Sequence, residues 1–287
     1  MTLPSFSVSF IESSLNTLLA FLNNSPVVLV ILAFFLVWVT AWLPVAVISA
    51  LFLNLKLQIN KSLQPEQKIP LLVSLYLLAP VIIWGCHWLG FGSFADDGLI
   101  TNISIFSSLF LGLGLGILGL VIVFTCQIWL GWCYLETSKL KSIPSILLSI
   151  SLVALFVGGI EELVFRGFLL TTLEKDYSIW LAAIASSVIF AVLHLVWEQK
   201  ETIPQLPGLW LMGMVLVVAR LADSNNLGIA WGLHAGWIWA IATIDTAELI
   251  TYTGKVSEWV TGKNKKPLAG VTGVFCVLMT GLILWWR

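Results

Sequence analysis

The sequence predicts an all-α polytopic membrane protein, and three observations carry that prediction. Hydrophobic residues fill 59% of the 287 positions, charged residues only 10%, and the mean hydropathy is +1.00. A soluble domain of this length carries about 25% charged residues. The apolar residues also fall into runs of about 20, the length of helix that crosses a hydrocarbon core. The few charges gather between those runs. With a net charge of −1 and no basic run, nothing points to nucleic acid.

The N-terminus lacks the basic start and small-residue cleavage site of a signal peptide, and residues 3 to 22 read as an amphipathic or interfacial helix at most. Eight spans follow, at about 26–53, 69–91, 107–131, 147–173, 178–197, 206–222, 227–247 and 267–286. The first is long and holds Pro44, a kink position. The third carries Gly112, Gly116 and Gly119, a small-residue stripe suited to close helix packing. Trp129, Trp132, Trp180, Trp197, Trp285 and Trp286 stand at span ends, as an aromatic belt requires. Cys86, Cys126, Cys133 and Cys276 show no CxxC spacing and read as small buried residues. No repeat, low-complexity segment or soluble domain interrupts a single membrane domain over 1–287.

The loops assign an orientation. Lys56, Lys61, Lys68, Lys139, Lys141, Lys200, Lys255, Lys263, Lys265 and Lys266 follow odd-numbered spans, ten basic residues on one side. Lys175, Arg220 and Arg287 lie on the other, with Arg166 inside the membrane. By the positive-inside rule the Lys-rich loops are cytoplasmic, and both termini and the Asp96-Asp97 loop are on the non-cytoplasmic side.

Within the fourth span, Gly158-Gly159-Ile160-Glu161-Glu162-Leu163-Val164-Phe165-Arg166-Gly167 breaks the apolar pattern. An ionised side chain there costs roughly 3 kcal/mol on insertion scales and needs a reason. Helical neighbours are about 100° apart, so Glu161 and Glu162 address different surroundings. Glu162 and Arg166, four apart with the acid first, form the favoured helical ion pair. Glu161 is left as the freer carboxylate. An ion pair that only locks two helices together is the competing explanation, and the second glutamate counts against it.

Only three histidines occur, His87, His194 and His234. His87 has no acidic neighbour close in sequence and reads as satisfied or interfacial. Counting rise from the Lys175-Asp176 turn places Glu161 about 18 Å before it and His194 about 24 Å after it, so the two can meet. His234 lies about 12 Å from the outer end of its span and is offset by that count. A carboxylate and an imidazole in a partly wetted pocket can move protons between water and a leaving group. A proton relay in a transporter uses the same residues, as do structural hydrogen bonds between helices. The residues by themselves leave these three open.

Glu161-Glu162-x-x-x-Arg166, Phe190-x-x-x-His194 and His234, in this order and spacing, resemble the three motifs of the CPBP family of intramembrane proteases, which includes CAAX prenyl endopeptidases and bacterial Abi proteins. The resemblance covers about residues 150–245 as a catalytic core. It implies an eight-helix α-bundle around a catalytic cavity. Glu161 and His194 would activate water, Glu162 and Arg166 would brace the site, and His234 would help hold the oxyanion. The family pattern continues as His-x-x-x-Asn or Asp, where this chain has Ile238. The implied function is hydrolysis of a peptide bond in a membrane-associated or peptide substrate, CAAX-type prenylated proteins being one option and bacteriocin self-immunity another setting. The alternative is a proteolytically silent scaffold or a proton-coupled transporter on the same polar core.

No cofactor is expected. Zinc is the alternative, with Glu161, His194 and His234 as the two-His, one-carboxylate set that a catalytic zinc accepts. Against it, no HExxH-like spacing presents two histidines on one helix face, and the depth count separates His234 from the other two. The sequence therefore favours a glutamate-and-histidine mechanism without bound zinc.

Overall fold

The computed structural model describes residues 17, 25–52, 65–100, 102–196 and 199–287, apart from the side chains of residues 65, 66 and 68. The expected interfacial helix at 3–22 (Thr17 excepted), Lys56, Lys61 and Trp197 lie outside these residues, as does the Lys68 side chain. The main helices are α1 Val27–Phe52, α2 Pro65–Trp88, α3 Ser104–Trp129 and α4 Ile143–Glu162. A π-helical turn, Leu163–Leu169, carries α4 into the short α5 Leu170–Leu173. Then come α6 Ile179–Leu193, α7 Gln199–Thr202, α8 Leu206–Ala222, α9 Gly228–Thr246, α10 Glu258–Thr261 and α11 Val271–Trp285. Pro44 sits inside α1 as expected. Two three-residue strands, β1 Cys133–Leu135 and β2 Ile250–Tyr252, pair antiparallel in an otherwise helical chain.

Six helical stretches among the described residues are long and apolar enough to cross a membrane: Val27–Phe52, Ile69–Trp88, Ser104–Trp129, Thr137–Leu173, Ile179–Val196 and Gln199–Ala222. The chain is a multi-pass membrane protein. Two of the eight expected spans differ in kind. The first, α9, packs against α3, α4 and α8 and buries residues around most of its circumference, from Ile229 and Ala230 to His234 and Trp237. It is a core helix, whereas α1, α2 and α3 leave many large apolar side chains exposed. The second, α11, has 15 residues and so reaches about 22 Å, short of a hydrocarbon core of about 30 Å.

The glycine stripe on α3 meets a matching stripe on α9. A Cβ at Gly116 would lie 2.6 Å from the Leu233 carbonyl oxygen, and one at Gly236 would lie 2.6 Å from that of Leu113. Backbone therefore packs on backbone along this crossing, as small-residue interfaces allow in membranes. This contact fixes the height of α9, and with it His234.

The π turn is the second positioning device. Its i→i+5 pattern disrupts the regular ladder, and π bulges recur at functional sites for that reason. Tertiary donors serve its carbonyls: Ser186 Oγ on α6 donates to Phe165 O at 2.7 Å, and Arg220 Nη1 on α8 donates to Arg166 O. Arg220 also reaches the Asp96 carbonyl at 2.9 Å through Nη2, so the loop after α2 is tied to the same turn. All four cysteines are free thiols.

Candidate active site

Glu161 and Glu162 close α4, and Arg166 lies in the π turn that follows. Just before them, a Cβ at Gly158 would lie 3.1 Å from Ala235 N and one at Gly159 would lie 2.7 Å from the Trp231 ring. With no side chain at either position, α9 comes close enough for His234 to reach the carboxylates. His234 Nδ1 donates to Glu162 Oε1 at 2.8 Å, and its Nε2 lies 3.5 Å from Glu161 Oε2. Arg166 Nη1 donates to the same Glu162 oxygen at 3.0 Å, with both side chains fully buried.

This arrangement corrects two expectations. The 100° step between neighbours predicts separate surroundings for Glu161 and Glu162, yet one imidazole on another helix spans both, a ring nitrogen to each. The depth count sets His234 apart from Glu161, yet the two are in contact. Two physical causes bring them together. A π turn holds more residues per turn, so Glu161 lies less far from the Lys175 end than an α-helical rise implies. The start of α9 is also covered by the loop after α2, where Leu227 N donates to Gly98 O at 2.9 Å, so the helix begins beneath that loop.

His194 stands where α6 tightens into a single 3-10 turn, His194–Val196. Its Nδ1 donates to Phe190 O at 2.8 Å, which leaves Nε2 as the free nitrogen of a half-buried ring. Phe190 is the hub between the charged groups. Its ring centroid lies 4.6 Å from that of His194, 5.9 Å from that of His234 and 4.3 Å from the Arg166 guanidinium carbon. The last is a cation–π contact that partly offsets burial of Arg166, whose Nε and Nη2 have no hydrogen-bond partner.

One residue at this site escaped the sequence reading. Tyr76 Oη, on α2, donates to Glu161 Oε1. Its only signal was that a tyrosine hydroxyl inside an apolar span must find a partner. His87, by contrast, is not brought to the site and is a histidine satisfied at Nε2, as its place in the sequence suggested. Its Nε2 lies 2.8 Å from Asp97 Oδ2, ten residues on. Burial pushes the Asp97 carboxyl up to about 7, with Asp96 adding to the rise and Arg220 and Lys175 opposing it.

Residues 143–240 match the family described as type II CAAX prenyl endopeptidase Rce1-like. This match agrees with the resemblance of the three motifs to the CPBP family. The matched segment contains Glu161, Glu162, Arg166, His194, His234 and Ile238, while Tyr76 and all of α1 and α2 lie outside it. The "Uncharacterized 24.3 kDa protein" of Escherichia coli is 30% identical over 89 residues, which cover 30% of this chain and 40% of that relative. The chain thus spans less than half the length of the curated relative it matches. No solved structure matches it.

Among the described residues, two cavities open onto Glu161 and His194 of the matched segment. One, of about 290 Å³, is lined by Glu161, His194 and His234 with Met212, Trp237 and Ile238, and it reaches Gln205 and Lys266. The other, of about 380 Å³, is lined by Phe35, Trp38 and Trp42 of α1, Leu75 and Tyr76 of α2, and again Glu161 and His194. Glu161 and His194 therefore form the wall that the two cavities share. The second cavity is almost wholly apolar apart from Tyr76 and that shared pair.

Proposed function

We propose that this chain is a CPBP-type intramembrane endopeptidase that hydrolyses a peptide bond of a membrane-associated substrate, with Glu161 and His194 activating water. The observation that carries the reading is the shared wall. A carboxylate and an imidazole with a free Nε2 face a cavity with a polar end at Gln205 and Lys266 and a cavity walled by aromatic side chains. The aromatic-walled cavity suits a lipidated or otherwise hydrophobic segment, and the other, apolar apart from Glu161, His194, His234, Gln205 and Lys266, suits the aliphatic residues and free C-terminal carboxylate that follow the scissile bond. A CAAX-type substrate has this two-part chemistry.

In this reading Glu161 takes a proton from the bound water as hydroxide adds to the peptide carbonyl. The same proton then passes to the leaving nitrogen as the C–N bond breaks. His194 Nε2 holds the water. His234 fixes the two carboxylates through Nδ1 and Nε2, and the longer, 3.5 Å contact is the one free to turn toward a developing oxyanion. Glu162 and Arg166 hold His234 and Phe190 in place and take no part in proton transfer.

The proposed mechanism uses no zinc: both ring nitrogens of His234 are directed at carboxylates and one Glu161 oxygen accepts from Tyr76, while Glu161, His194 and His234 are the residues that would hold a zinc ion and its water. The Lys266 end of the cavity lined by His234 is assigned to the cytoplasmic face by the distribution of basic residues.

The decisive experiment uses the purified protein in nanodiscs with an internally quenched peptide carrying a farnesylated cysteine in a C-terminal CAAX sequence. Wild-type protein releases the C-terminal tripeptide, and Glu161→Gln, still folded, does not. Equal release by Glu161→Gln removes the assignment. Ion or solute flux in sealed vesicles without peptide cleavage favours a transporter.

A further inference from the structure

Glu161 is held from two sides, and only one of them belongs to the matched family segment. His234 on α9 approaches Oε2, while Tyr76 on α2 donates to Oε1. Tyr76 lies 85 residues upstream of Glu161 and well outside residues 143–240. α2 packs on α4 and on the π turn, and its tyrosine lines the apolar cavity together with Glu161 and His194. On the other side, Ile238 lines the cavity that reaches Lys266, one turn beyond His234, so that turn of α9 offers no side-chain amide to the site.

We propose that Tyr76 is a positioning residue that fixes the Glu161 carboxylate and confines its proton transfer to Oε2. The inference rests on Glu161 being the group that activates water. A carboxylate on a three-bond side chain beside open cavities rotates freely unless both oxygens are engaged. Misplacement of about 1 Å at such a group lowers rates by about two orders of magnitude. With Oε1 accepting from the phenol, the water proton goes to Oε2, and from Oε2 it goes to the leaving nitrogen. Tyr76 keeps its own proton throughout. The first half of the chain thereby enters the active site, and the two membrane-facing helices that wall the apolar cavity also set the geometry of the base. Substrate filling that cavity lies directly beside the Tyr76 hydrogen bond.

The test compares wild type, Tyr76→Phe and protein with 3-fluorotyrosine at position 76, all in nanodiscs. On the farnesylated peptide, Tyr76→Phe lowers kcat by about 10- to 100-fold with KM within about twofold, and the fluorinated phenol, which keeps the hydroxyl, restores kcat. A readout independent of turnover accompanies it. The Glu161 carboxylate stretch, isolated as the infrared difference between wild type and Glu161→Gln, shifts in Tyr76→Phe and returns with 3-fluorotyrosine. An unshifted band overturns the proposal whether or not the protein cleaves peptide. A shifted band with unchanged kcat overturns the positioning role and leaves a structural hydrogen bond. No turnover by wild-type protein overturns the endopeptidase reading, and with it the catalytic meaning of Tyr76, while the band still decides the hydrogen bond.

Discussion

His234 and Glu162, 72 residues apart in sequence, meet through a 2.8 Å hydrogen bond in an interior where neither side chain is more than 3% exposed. The Glu162 oxygen that accepts from His234 also accepts from Arg166, so one carboxylate ties together α4, the π turn and α9. A buried pair of this kind adds little over an apolar substitute, but removing one partner strands the other's charge.

Glu162→Ala and Arg166→Ala should therefore each destabilise the protein by about 3–5 kcal/mol and abolish activity together with stability. Thermal unfolding in detergent checks this. Instability confined to one of the two variants removes the pairing.

The glycine crossing of α3 and α9 sets the position of His234. Gly236→Val places methyl groups against the Leu113 carbonyl, where even a Cβ would lie 2.6 Å away, and should cost about 1–3 kcal/mol with loss of activity. Gly114, on α3, has nothing among the described residues within 4 Å of its added Cβ, so Gly114→Ala should leave unfolding temperature and turnover unchanged or slightly improved. Equal losses in both would separate the crossing from the site.

Asp97 gives stability a pH dependence of defined sign. Its carboxyl rises from 3.8 to about 7 on folding because burial penalises the charged form. Between those values the folded protein holds a proton that the unfolded chain has released, so stability falls as pH rises from about 4 to about 7 and then levels. The displacement corresponds to at most about 4 kcal/mol. Asp97 faces His87, Asp96, Lys175 and Arg220, and Asp97→Asn should flatten the slope while the other groups remain. An unfolding temperature that rises across this window in wild type contradicts the assignment.

Orientation follows from the ten-to-three division of basic residues. In a cysteine-free background, a cysteine at Lys265 should be shielded from impermeant thiol reagents in intact cells and one at Ala95, exposed in the loop after α2, should be labelled. The opposite pattern inverts the topology and turns the Lys266 end of its cavity outward.

Metal is tested by chelation. Activity on the farnesylated peptide should survive prolonged dialysis against a zinc chelator, and the active protein should carry no stoichiometric zinc. Zinc lost together with activity, both restored by adding the ion back, would replace the Glu161–His194 mechanism with a zinc-bound water.

Interactions within one helix were the ones legible from sequence. Apolar runs mark the membrane helices because lipid demands them, and the Glu162–Arg166 pair and the Gly112–Gly116 stripe follow from helical spacing alone, since residues four apart share a face. The three motifs also pick out Glu161, His194 and His234, which line one cavity in the structure. Relations between helices needed the tertiary structure. The π turn, the covered start of α9 and the backbone-close crossing with α3 set relative heights that counting rise from a single turn misjudges, which is why His234 was placed too far from Glu161. Tyr76 and the His87–Asp97 pair were hidden for the same reason. A hydrogen bond between helices depends on crossing angle, register and side-chain reach, and no periodicity in one chain segment encodes its partner in another.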